Sequence, residues 1–129
     1  MDPYFKPELS SLYDEYDTLK MRDSYTAVVW KRASEIYGST VRIFGDEPPQ
    51  ADDINHGALE KAYFLTVLSA MAAQPGNLIE GLFETKEVNA AGIYMIYLYV
   101  NGVRTPIIID DLIPVWSSTN QPVFATSKD

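Results

Sequence analysis

Residues 54–73 read INHGALEKAYFLTVLSAMAA, and from Ala62 onward twelve consecutive positions carry no charge. Most of these residues are good helix formers, and Pro75-Gly76 follows closely enough to stop the segment. The stretch predicts a helix. Its apolar character runs around every face, and a helix of that kind is expected at the centre of a domain with other elements packed on most of its sides. Burying Phe64, Leu65, Val67, Leu68 and Met71 would then contribute roughly 1.5–3 kcal/mol each before the entropy of ordering is subtracted. On that expectation Leu68→Ala costs about 2–5 kcal/mol.

Downstream, Ile93 to Val100 is dense in Ile, Tyr, Leu and Val, which predicts a strand. Asn101-Gly102 supplies the two positive-φ positions of a type I′ turn, and Val103 to Asp110 runs back, so residues 93–110 predict a hairpin. Pro106 has no N–H for a ladder, so the returning strand is expected at an edge, or with Pro106 facing away from its partner. A third short strand is expected over Pro122 to Thr126. Upstream, Leu9, Leu12, Tyr13, Tyr16, Leu19 and Met21 recur at spacings near three and four, predicting an amphipathic helix. Tyr25 to Trp30 forms another short segment, and residues 38–53, rich in Gly, Pro and acid, read as loop. A buried helix beside a small antiparallel sheet belongs to the α+β class.

The chain has 129 residues, 47% hydrophobic and 22% charged, the composition of one globular domain. Ten Lys and Arg against eighteen Asp and Glu give a net charge of −8, which would repel a phosphate backbone, so nucleic acid is not expected as a partner. Cysteine is absent, which removes disulfides, thiolate zinc sites and any cysteine nucleophile within these residues. Met1 to Lys6 has no apolar core of a secretory signal. The uncharged stretch Val88 to Val103 is interrupted by Gly92 and Asn101-Gly102, so no membrane span is expected, and a cytoplasmic location follows as the expectation.

The residues offer no catalytic constellation of their own. His56 is the single histidine, and Ser69, a hydroxyl that a triad would need, lies within the expected helix, where it more readily bonds the carbonyl one turn back. Asp110 and Asp111 are adjacent on an extended segment and point to opposite faces, so they cannot share a proton; one of them is expected to bond backbone. Asp46, Glu47, Asp52 and Asp53 make the loop before residue 54 the most acidic local stretch, read first as solvated surface.

Residues 54–68, INHGALEKAYFLTVL, resemble the active-site segment of calpains, which typically reads I-x-Q-G-x-L-G-D-C-W-x-L before a buried helix. Four further segments match in order. Trp30-Lys31-Arg32-Ala33 with Glu35-Ile36 looks like the family's W-x-R-P-x-E-I, Asp53-Ile54 like its D-I, Ala91-Gly92-Ile93-Tyr94 like A-G-I-F/Y, and Ile109 to Pro114 like V-D-D-x-L/I-P. The resemblance implies the N-terminal half, the PC1 subdomain, of a papain-like calpain core over residues 28–129, with residues 1–27 as an N-terminal helical extension.

The departures lie at the reactive positions. Where the resemblance places the cysteine stands Ala62; where it places the oxyanion-hole glutamine stands His56; and the Gly-Asp pair is replaced by Glu60-Lys61. The family's histidine and asparagine belong to a second subdomain that these residues do not include. The resemblance thus implies a chain without catalysis, no enzyme, acting as a structural or protein-binding module among other protein subunits, with a cytoskeletal or ciliary assembly as the setting. The alternative is a fragment or inactivated form of a calcium-dependent cysteine endopeptidase. Asp53 falls on the family's calcium-ligating aspartate, but with few other oxygens nearby in sequence, no cofactor is the leading expectation and calcium the lesser one. Tyr94, Tyr97 and Tyr99 crowd one hairpin, either as a partner's docking patch or as the domain's own core.

Overall fold

The computed structural model describes residues 5–13, 25–57 and 62–127. Four strands form two antiparallel pairs: β1 (Val28–Arg32) with β4 (Leu112–Trp116), and β2 (Ile93–Val100) with β3 (Val103–Asp110). Two α-helices are described, α1 (Ala33–Tyr37) and α2 (Ala62–Ala72). The chain has the mixed helices and small antiparallel sheets of an α+β fold.

The hairpin forms as its sequence dictates. Asn101 and Gly102 adopt φ of 51° and 78°, the two left-handed positions of the tight turn, and the register runs from Val100↔Val103 to Ile93↔Asp110. Tyr97 faces Pro106 across it. The outer edge of β2 is covered where Glu84 and Thr85 donate their N–H groups to the Met95 carbonyl and Met95 donates its own to Thr85 Oγ1. Pro106 therefore sits on the strand away from that cover, where a missing donor breaks no bond to β2.

The strand β4 is a departure from expectation. Leu112–Trp116 pairs along the whole of β1, from Arg32↔Leu112 to Val28↔Trp116. Pro114 hides this strand from a sequence reading, yet its carbonyl turns away from β1 and accepts the N–H of Val123. Residues 122–126 do not make the expected third strand; they make two isolated bridges, Val115↔Pro122 and Asn55↔Thr126. The core sits here. Val115 and Val123 are fully buried, and Leu12 and Tyr25 pack with Val123 against Val28, Trp30, Trp116 and Phe124. Tyr25 also stacks on Trp116.

The expected N-terminal helix differs as well. Leu9–Leu12 is a single 3-10 turn, and Tyr13 is extended at φ −143°, ψ 160°, so no helix runs through it; Tyr16, Leu19 and Met21 lie outside the described residues.

The largest correction concerns α2. The helix is present and ends at Ala72, one residue before the expected stop, but no residue of it is buried, and Tyr63, Phe64 and Val67 are 75%, 45% and 56% exposed. Leu65, Leu68 and Met71 are half-buried, chiefly beside the 3-10 turn Ala51–Asp53. Apolar composition states that a helix needs cover; it does not supply the element that covers it. The large penalty expected for Leu68→Ala therefore shrinks with its burial.

The two strand pairs are joined at one point. Arg32 at the end of β1 donates from Nη1 to Asp111 Oδ1 at 2.7 Å, and Asp111 lies between β3 and β4. The Asp111 carbonyl accepts the Ala33 N–H, and its N–H donates to the Gly92 carbonyl. Gly92 lies beneath this ion pair with φ 63°, and a Cβ there would collide with both charged side chains. Arg32 also opens α1, its N–H donating to the Glu35 carboxylate at 2.7 Å.

Urea unfolding of this chain checks four expectations. Asp111→Asn should cost about 1–3 kcal/mol, by leaving the Arg32 guanidinium without its carboxylate, and Gly92→Ala should cost about 2 kcal/mol or more from the left-handed φ and the displaced ion pair together. Val115→Ala should cost about 2–3 kcal/mol as a buried truncation, whereas Tyr63→Ser should stay within about 0.5 kcal/mol. A large loss for Tyr63→Ser would show α2 to be covered within this chain.

Candidate active site segment

The segment that precedes α2 is held by the C-terminal residues. Asn55 and Thr126 exchange two backbone hydrogen bonds, N to O at 3.0 and 3.1 Å. Gly57 then passes so close to the backbone of Val123 and Phe124 that any Cβ would fall on the Phe124 carbonyl. This close approach explains the glycine of the matched motif, and it puts His56, exposed, between the two held positions. Ala62 is the first described residue of α2, and its carbonyl accepts the Thr66 hydroxyl at 2.7 Å. An acidic thiol at that place would meet the positive end of the helix; Ala62 offers only a methyl group. Glu60 and Lys61 lie outside the described residues.

The acidic loop is partitioned among backbone and base. Asp53 Oδ2 accepts the N–H of Gln50 at 2.7 Å, closing the turn Ala51–Asp53 that rests on α2. Asp46 takes both guanidinium nitrogens of Arg42, at 2.6 and 3.3 Å. That bidentate contact, and then the attraction between the opposite charges, holds the Asp46 carboxyl below its usual range and raises Arg42. Among the described residues no group of three or more His, Cys, Asp or Glu could hold a metal ion.

Asp110 and Asp111 divide as their alternation dictates. Asp110 Oδ1 accepts the Leu112 N–H at 3.2 Å, and Asp111 binds Arg32. Arg32 was not singled out from sequence as a charge partner; its signal was the pairing of W-K-R with D-D across two matched motifs. The tyrosines split between both readings. Tyr94 is buried, Tyr97 lies under the Arg104 guanidinium, and Tyr99 is 69% exposed.

Comparison with known proteins agrees with the geometry. The model of the family described as Calpain family cysteine protease matches residues 1–129. Over 84 residues, 65% of this chain, the sequence is 33% identical to the Calpain-type cysteine protease DEK1 of Arabidopsis thaliana, and that match spans 4% of the relative's own length. These findings correct one expectation. The missing cysteine had implied that the protein is no enzyme, yet the matching family is one of cysteine proteases, and a match so small a part of its relative leaves the activity of a whole protein undecided by these residues. No described helix is long and apolar enough to cross a membrane. Matched by that family model along its whole sequence, the chain belongs to the calpain family of cysteine proteases.

Proposed function

We propose that these residues serve as the structural and protein-binding half of a calpain-type core within a larger protein assembly. One observation carries the reading: two apolar elements, α2 and the β2–β3 hairpin, stand uncovered on a frame that is otherwise tied together. Tyr63, Phe64 and Val67 lie exposed on the helix, and Tyr99, Val103 and Ile108 on the hairpin. Scattered apolar residues need no explanation, but groups on two elements of one small domain mark surfaces that bind. A net charge of −8 favours protein subunits over nucleic acid as what covers them. The proposed setting is cytoplasmic, in a cytoskeletal or ciliary assembly.

A second reading, a piece or altered form of a calcium-dependent cysteine endopeptidase, is favoured by the family match and by the relative's name. These residues contain no cysteine, so a thiolate would have to come from elsewhere or from restoration at Ala62.

Two measurements on the full-length protein separate the readings. A photo-crosslinking residue placed at Tyr63, and another at Tyr99, should each form an adduct with one stoichiometric protein surface. Absence of adducts from both positions, with thermal stabilisation of a monomer by calcium, would overturn the binding reading. In Ala62→Cys, labelling by a thiol-reactive peptide probe should be no faster than in Tyr63→Cys; much faster labelling at residue 62 would establish the endopeptidase reading instead.

A further inference from the structure

We propose that Asn101, at the tip of the β2–β3 hairpin, is a site of spontaneous covalent modification, converting through a succinimide to aspartate and isoaspartate. Three observations meet there. Asn101 is followed by Gly102, whose missing side chain leaves the backbone nitrogen open to approach; a Cβ built at Gly102 would have nothing within 4 Å. Both residues are exposed, and the Asn101 side chain makes no hydrogen bond in the structure. The pair that closes the turn, Val100↔Val103, is itself uncovered, so the tip opens with little loss of packing.

Opening matters because the tight turn, with Asn101 at φ 51°, holds the chain in a fixed left-handed shape. Released from it, the Gly102 backbone nitrogen gives its proton to water and attacks Cγ of Asn101. A bond from that nitrogen to Cγ forms, the bond from Cγ to Nδ2 breaks, and Nδ2 takes a proton and leaves as ammonia. Water then adds to one of the two ring carbonyls. Cleavage at Cγ restores the normal backbone with an aspartate; cleavage at the main-chain carbonyl passes the backbone through the side chain and leaves isoaspartate. The net change is one water consumed and one ammonia released, with no oxidation or reduction.

The other asparagines described here lack this combination. Asn55 is followed by His56, not glycine, and its backbone exchanges two hydrogen bonds with Thr126. Asn89 is held at both ends of its amide by Ile93, Nδ2 to the carbonyl at 2.9 Å and Oδ1 from the N–H at 3.4 Å. Asn77 and Asn120 share the left-handed φ, at 51° and 61°, but Leu78 and Gln121 follow them, and their side chains hinder the attacking nitrogen. Conversion at residue 101 adds a negative charge three residues from Arg104, and the isoaspartate branch adds a backbone carbon to a two-residue turn whose register depends on its length.

The test is peptide mapping of the folded full-length protein during incubation at mildly alkaline pH, with isoaspartate read by enzymatic methylation. The peptide holding Asn101 should change from amide to acid severalfold faster than those holding Asn55, Asn77, Asn89 and Asn120, and most of the product should be methylatable. Asn101→Gln should abolish the change at this peptide and keep the amide protection of Val100 and Val103 in hydrogen exchange. That protection should fall in the aged wild-type protein. Equal rates at all five asparagines, an acid product without isoaspartate, or loss seen only after denaturation would each overturn the proposal.

Discussion

The pairing of Arg32 with Asp111 is the constraint on which the rest of this structure depends. The two residues are 79 positions apart, and they join the end of β1 to the bend between β3 and β4. The carboxylate is 12% exposed and the guanidinium 45%, so the pair keeps part of its attraction from solvent screening while the arginine retains some hydration. Fully exposed ion pairs contribute little, as Arg42 and Asp46 show by comparison: they are local, four residues apart, and join nothing distant. What distinguishes Arg32–Asp111 is its backbone company. The same aspartate accepts Ala33 and donates to Gly92, so three chain segments meet at one residue.

That convergence gives a physical reason for motifs that look arbitrary in sequence. The arginine of W-K-R, the glycine of A-G-I-Y and the second aspartate of I-D-D are one contact seen from three sides. Glycine is required because only it fits under the charged pair at φ 63°. Further along, Gly57 is required for a different reason, the backbone of Val123 and Phe124 crossing it. The retained motif residues thus describe a frame. His56 is exposed between the two held positions, and the side chain of Ala62 offers only a methyl group, so neither side chain holds that frame.

Legibility in the sequence followed the range of the interaction. The hairpin was readable because Asn101-Gly102 and the alternating strand residues are local signals, and α2 was readable because its composition and its proline stop are local too. The division of Asp110 from Asp111 followed from strand alternation alone. β4 was not readable, since Pro114 argues against a strand until Val123 is known to sit on its far side. Nor was the location of the core: Leu12, Tyr25, Val115 and Val123 come from four separate segments, and nothing in their neighbours announces that they meet. At the candidate site, Ala62 and His56 were located by motif alignment, whereas the cap role of Asp53 needed the turn that Gln50 begins.

The exposure of α2 carries the final step. A helix of 11 residues is marginal in water on its own, and most helical stability in proteins comes from packing of the apolar face. Here Tyr63, Phe64 and Val67 look outward, so the helix as described draws its support from one side, where Asp53 holds the adjoining turn in place. A sequence that spends twelve uncharged positions on this helix would gain nothing from them if the outer side stayed wet. Local composition thus fixes that a helix forms here and not what lies against its outer face, while the frame built on Arg32 and Asp111 keeps the rest of the domain in register around it.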